Sequence, residues 1–530
     1  MTKSRFLTSL VVLMALMSAD AQASDAPRLV VNILVDQLRT DYMEAFSSLY
    51  GEGGFRRLMT EARFYADVQH PFRGADRASG TATLVTGTVP ADHGIVSLTW
   101  LSRATLQPLF CVDDARFKGQ QTADRSSAVH LLTTTLSDEL EQATGRRSVV
   151  YSICPERDMA VLLAGHAGDG AFWIDDQTGS WCGTSYFGSY PVWASAYEHM
   201  EPLGTRLRHL EWTPRYEGAE PAFHYYHSAP AERTKSFSHK FTGDRRFRQF
   251  KASAMVNDEV CRFVDRCLDG SLVGRDYVPD LLNIGLYAAN FDHQPVADYP
   301  AELQDTYVKL DSAISRVITS AERVAGRGRV LFVLTSTGYA DNDPDGAQLE
   351  ALNLPTGQFD TDKASMLLNM YLGAVFGQAQ YVEGARDAQI YLDRKLIEQK
   401  QLKLTDVLAR SEEFLAQMAG VRDVYTSQRL LLSPWTGDVG RIRAGWHSMV
   451  SGDIVLDIQP GWRIVNKHQA ESRPSGQPYI SYPLFFLGPN IGQARINTPV
   501  SSVVLAPTLA RCLRIRAPNA SREAPLKIED

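Results

Sequence analysis

Cysteine is scarce in this chain: six residues in 530, at positions 111, 154, 182, 261, 267 and 512. No Cys-x-x-Cys pair occurs, so a thiolate metal site has no spacing to rest on. So few cysteines over so long a chain make no disulfide framework either. Cys261 and Cys267 share a segment of helical spacing, where opposite faces and about 9 Å of rise keep them from bridging. No basic run stands out. With 54 Lys and Arg against 61 Asp and Glu, and a formal net charge of −7, the chain lacks the clustered cations that displace counterions from phosphate backbones. Nucleic acid is therefore excluded as a partner. Beyond residue 23 no apolar run reaches the roughly 18 residues of a membrane span, and there is no internal repeat or low-complexity tract.

What is present is ordinary globular composition, 44% hydrophobic and 22% charged, enough for a large core. The first residues read as an export signal: Lys3 and Arg5 make a basic start, residues 6–17 an apolar stretch, and Ala21-Gln22-Ala23 a small-residue cleavage site. The expectation is a mature chain from Ser24, periplasmic or otherwise exported.

Residues 28–36 form a continuous apolar run ending in Asp36, the pattern of a strand buried on both faces of a parallel sheet. Similar runs occur at 330–335 and 483–488, and helical patterns at 54–62, 128–143, 306–324 and 363–376. That alternation predicts a wound α/β domain with its chemistry at the strand C-termini, where Asp36 sits. Residues 24–530 read as one such domain carrying two insertions, at about 190–275 and about 383–435, the second of helical appearance.

The segments Val35-Asp36-Gln37-Leu38-Arg39-Thr40-Asp41-Tyr42 and Thr86-Gly87-Thr88-Val89-Pro90-Ala91-Asp92-His93-Gly94-Ile95 resemble the type I phosphodiesterase and nucleotide pyrophosphatase branch of the alkaline phosphatase superfamily. The likeness is strongest to bacterial phosphate-irrepressible alkaline phosphatases, and it continues in order through Phe110-Cys111-Val112-Asp113-Asp114, residues 131–140, Leu163-Ala164-Gly165-His166, Gly170-Ala171-Phe172-Trp173, Asp305-Thr306-Tyr307 and residues 505–509. The resemblance implies a mostly parallel sheet between helix layers with an inserted cap. It also implies phosphate-ester hydrolysis by two zinc ions and a Thr or Ser nucleophile.

Residue by residue, the implied site is depleted. Asp36 matches the first metal ligand. The nucleophile, nine residues before Thr86, falls on Arg77, which cannot attack phosphorus but can clamp an anion. His293 matches a ligand, yet the Asp four residues earlier is Ala289; the Asp-His pair after the strand at 330–335 becomes Ser336-Thr337; the last His becomes Ser475; and basic phosphate-binding residues become Glu156 and Asp158. One Asp and one His fall short of the three to four ligands each zinc needs. The expectation is a pseudo-enzyme with no cofactor, its cleft formed by Asp36, Arg77, Ser79, Thr99, Ser336, Thr337 and Ser475, with Arg77 paired to Asp36, binding or scaffolding a cell-envelope protein. The alternative is a zinc-dependent hydrolase whose site is rebuilt from Asp36, Ser79, Asp292 and His293.

Other motifs carry less. Asp341-Asn342-Asp343-Pro344-Asp345-Gly346 has the start of a calcium loop, but Leu352 stands where a closing Glu belongs, so a solvated acidic turn is the better reading. No sulfatase signature and no Gly-x-Ser-x-Gly elbow is present. His224, Tyr225, Tyr226, His227, Trp212 and His239 make an aromatic and cationic cluster that reads as a cap packing on the core. His93 and His166 read as structural hydrogen-bonding groups, and Asp453 and Trp462 as markers of a late hairpin.

Overall fold

The computed structural model of the chain describes residues 26–216, 236–340, 355–466, 471–475 and 480–529. Residues 1–25 with the expected export signal, residues 224–227, the calcium-loop-like motif at 341–346 and the segment 476–479 lie outside these.

The strand Leu29–Asp36 is buried at every position. It is flanked in parallel register by Asp280–Tyr287 on one side and Val330–Ser336 on the other, which is why its sequence runs apolar without alternation. Around this centre an 11-stranded sheet extends, mostly parallel. Val150–Ile153 and Gly170–Ile174 continue it in parallel beyond Asp280–Tyr287. On the other wing Tyr482–Leu487 runs antiparallel to both Val330–Ser336 and Arg63–Gln69. Helices on the two faces bury two separate apolar clusters, one including Pro300–Ala325 and Met255–Gly270, the other Arg77–Thr86, Arg157–Ala164 and Leu505–Leu513.

The helix foreseen at 128–143 starts only at Leu136, because Thr135 caps it: its hydroxyl accepts from the Asp138 N–H while the Asp138 carboxylate accepts from the Thr135 N–H. The segment 383–435 is not simply helical. The helices Arg394–Gln399 and Leu404–Leu415 alternate with Val382–Arg386, Gln389–Leu392 and Val421–Thr426, which join Ile454–Ile458 in a four-stranded sheet over its own core. The late hairpin is also corrected. Ile454–Ile458 and Trp462–Asn466 are consecutive strands in different sheets, the second pairing with Gly357–Asp360 and Glu471–Pro474. The Trp462 ring packs on Gly357 and Gly420, where an added Cβ would come within 2.9 and 2.4 Å of it, so a side chain at either position would push the ring away.

Among the described residues of the region 190–275, Trp212, Phe241, Phe247 and Phe250 pack onto the main core. Trp212 Nε1 donates to Asp305 and His239 Nε2 lies 2.7 Å from Glu302. All six cysteines are free thiols. Among the described residues no helix is long and apolar enough to cross a membrane.

Candidate functional site

Asp36 ends the central strand and is 2% exposed. Its Oδ1 accepts a 2.9 Å hydrogen bond from Thr337 Oγ1, and the same hydroxyl oxygen accepts from the Gln37 N–H at 3.0 Å. Thr337 follows the neighbouring strand, held by its N–H to Val35 O. Its carbonyl accepts from His70 Nε2 at 2.8 Å and presses on the helix Arg77–Thr86 so closely that a Cβ on Gly80 would sit 2.1 Å from it. Thr337, expected to stand where the resembled family has a metal ligand, is thus a hydrogen-bond partner of Asp36.

Arg77 opens that helix. Asp76 is the N-cap: its side chain accepts from the Ser79 N–H, and the Ser79 hydroxyl closes the reciprocal bond to the Asp76 N–H at 2.9 Å. This local capping box aims Arg77 inward and spends the Ser79 hydroxyl on the backbone. The Arg77 guanidinium lies edge-on to Asp158, with Nε to Oδ2 at 2.9 Å and Nη2 to Oδ1 at 3.0 Å. Glu156 and Asp36 are each 3.6 Å from it. The ion pair foreseen with Asp36 is therefore the lesser contact, and Asp158 takes the bidentate one, because it projects from the first turn of the facing helix Arg157–Ala164.

The cluster continues. Lys251 Nζ sits 3.0 Å from Glu156 and 2.6 Å from Asp176, and Arg248 reaches Asp176 at 3.0 Å. Burial works to raise the Glu156 carboxyl, but Lys251 and Arg77 overcome it and hold it down to about 2. Burial likewise opposes charge on Arg77, and Asp158, Glu156 and Asp36 raise its pKa well above the ordinary value. The result is three cations, Arg77, Lys251 and Arg248, interleaved with four carboxylates, Asp36, Glu156, Asp158 and Asp176.

The remaining candidates are dispersed. The Ser336 hydroxyl accepts from the Gly338 N–H, and the Ser475 hydroxyl donates to Gln459 O in the cap. Thr99 lines a cleft between cap and body, described below. His293 is exposed, at a φ of 54°, edge-on to Tyr287 and near enough to Glu156 to favour its charge. Asp292 is occupied by Arg245 and Gln249. So Asp36, Arg77 and Thr337 meet, while Ser79, Ser336 and Ser475 are turned to the backbone. Among the described residues no three His, Cys, Asp or Glu side chains are grouped to hold a metal ion, and this donor set does not fit a pair of zinc ions. Lys251 and Asp176 are not legible in the sequence: Lys251 lies in a segment without clear periodicity, and its contacts with Glu156 and Asp176 are long-range.

His93 and His166 serve structure. His93 is buried between the Thr83 hydroxyl and the Ile95 N–H, and His166 lies between Asp138 and Leu131 O.

Comparison with known proteins agrees with this architecture. Alkaline phosphatase PafA of Elizabethkingia meningoseptica is 26% identical over 553 residues, covering 99% of both chains. Alkaline phosphatase PhoV of Synechococcus elongatus is 25% identical over 513 residues, 93% of this chain and 91% of that protein. The crystal structure of wild-type PafA superposes with a TM-score of 0.81 at 25% identity, over 95% of this chain and 99% of that one. The family model for type I phosphodiesterase / nucleotide pyrophosphatase matches residues 30–478. On that match and this fold, the chain belongs to the type I phosphodiesterase / nucleotide pyrophosphatase family, within the alkaline phosphatase superfamily.

Proposed function

We propose that this chain is an exported, non-hydrolytic member of its family that acts by binding, in the cell envelope, without a zinc cofactor. One observation carries the reading: the Arg77 guanidinium, at the position the family resemblance assigns to the nucleophile, is clamped edge-on by Asp158. A guanidinium has no lone pair to offer phosphorus. Its donors face the protein's own carboxylates, so a phosphoryl group entering here meets Glu156, Asp158 and Asp36 as well as the cation. Export rests on the basic start, apolar stretch and small-residue site of the first 23 residues.

The competing reading, a zinc-dependent phosphomonoesterase or phosphodiesterase with a shifted site, is favoured by Asp36 standing at the strand end and by the relatives' names. It calls on Ser79 and Asp292, whose polar atoms are engaged as described. The two readings separate on purified protein incubated with zinc. Non-hydrolysis predicts less than one bound zinc per chain and no turnover of nitrophenyl phosphate, in the wild type and in Arg77→Thr alike. Stoichiometric zinc with turnover would overturn it.

A further inference from the structure

Between the body and the cap lies a cleft of about 910 Å³, in the range of ligand sites. None of Asp36, Arg77, Glu156, Asp158 or Lys251 is among its described lining residues; Tyr339 lines it and accepts from Gln37 at 3.2 Å, standing between the cleft and the buried cluster. The charge of its wall is opposite to that of the molecule. The whole chain has fewer cations than anions, yet the described lining holds five arginines, Arg73, Arg386, Arg422, Arg441 and Arg473, and no Lys or Glu. Three aspartates oppose them: Asp76, Asp387 and Asp457. Asp76 is spent on capping. Asp457 is shared, with Arg73 at 3.3 Å and Arg422 on the same Oδ2, and Asp387 takes Arg473 at 2.7 Å. At the rim Asp438 meets Arg73 at 3.0 Å. Among the described residues five arginines face four aspartates, Asp438 included, and His70 adds nothing because burial lowers its pKa to about 4.

The arginines come from separate segments: Arg73 from a body loop, the others from the cap. Guanidinium rather than ammonium at every cationic position suits planar, two-point recognition of oxyanions. We propose that this cleft binds an oligoanion, a chain molecule carrying several phosphate, sulfate or carboxylate groups, laid between Arg73 on the body and Arg422, Arg441 and Arg473 on the cap. The site goes beyond the loss of hydrolysis and does not depend on it.

The test is calorimetry on the full mature chain with inorganic tripolyphosphate and with tetragalacturonic acid, maltotetraose serving as the neutral control. The expected result is binding of at least one acidic chain, weakening steeply between about 50 and about 200 mM salt as screening grows, and no binding of the neutral sugar. Tripolyphosphate alone points to a phosphorylated ligand, and tetragalacturonic acid alone to an acidic glycan. Arg441→Glu, at an exposed position, and Arg473→Gln should each weaken binding at least tenfold with unchanged thermal midpoints, while Arg323→Gln, on the exposed face of the helix Pro300–Ala325 and outside the lining, leaves it intact. Failure of both acidic chains at millimolar concentration, equal binding of maltotetraose, or indifference to both arginine substitutions would overturn the proposal. Release of inorganic phosphate from bound tripolyphosphate would instead sink the non-hydrolytic reading and leave this site standing.

Discussion

Arg77 and Asp158, 81 residues apart in sequence, meet edge to edge through Nε and Nη2 across the first turns of two facing helices. Both side chains are largely buried, at 12% and 1% exposure. A buried pair of this kind adds little net stability over a well-packed apolar pair, but removing one partner strands the other. Here the loss of Arg77 strands Asp158 and removes a nearby cation from Asp36 and Glu156, the latter keeping Lys251.

Arg77→Met should therefore lower stability by about 3–5 kcal/mol, read as the shift in urea midpoint at constant slope. Pairing it with Asp158→Leu should recover part of that loss, a coupling of about 0.5–3 kcal/mol. A single-variant loss below about 1 kcal/mol would show that the cluster is hydrated rather than sealed.

The legibility of this site in the sequence divides along range. Leu29–Asp36 was plain because two flanking parallel strands bury both of its faces, and that burial writes an unbroken apolar run. Arg77 was plain from its offset to Thr86. Glu156 and Asp158 were noticed as changed residues, but nothing local says that a carboxylate will meet a guanidinium on another helix. Ser79 was misassigned to the cleft although the local signal was present: an Asp three residues before it makes a capping box. The Ile454–Ile458 and Trp462–Asn466 strands looked like a hairpin because nothing local says that the second will pair with Gly357–Asp360, which is remote in sequence.

Acid should destabilise the protein in two stages. His70 and His93 are buried, and their pKa values fall from 6.5 to about 4 and about 3, so each stays neutral in the folded state. A lowered folded pKa means that the unfolded chain takes up protons first. The stability from neutral burial is complete above pH 6.5 and is lost as pH falls toward those values. For His70 the loss by pH 4 is about 3 kcal/mol. Glu156, held at about 2 against an ordinary 4.5, adds a second loss as pH falls below 4.5 toward 2. Urea midpoints from pH 7 to pH 4 should fall for the wild type and fall less for His70→Gln. An identical pH slope in the variant would rule out His70 as a source.

Gly80→Ala sets two effects of opposite sign against each other. Alanine favours a helix interior by about 1 kcal/mol over glycine. The added Cβ, however, would lie 2.1 Å from the Thr337 carbonyl oxygen, which is backbone anchored to Val35 and His70. Overpacking of this kind costs about 1–3 kcal/mol, and the immobile neighbour puts it at the upper end. The variant should be less stable than wild type. A stabilised variant would mean that the strand end moves freely.

Asp453 is fully buried in the cap, at 0% exposure. One oxygen accepts from the Leu392 N–H at 2.8 Å and from Arg103 at 3.1 Å, and the other accepts from Arg394 Nε at 2.7 Å. Arg103 lies in the turn of the ribbon Thr99–Leu101 and Pro108–Phe110, so this carboxylate ties that ribbon to the cap sheet. Asp453→Ala leaves two guanidinium groups and a strand N–H without their acceptor and should cost about 3–5 kcal/mol. Asp453→Asn keeps an acceptor but loses the charge, and should cost less. The loss should concentrate in the cap: hydrogen exchange of Gln389–Leu392 and Ile454–Ile458 should quicken while Leu29–Asp36 stays protected. Uniform quickening across both sheets would show instead that cap and body unfold as one unit.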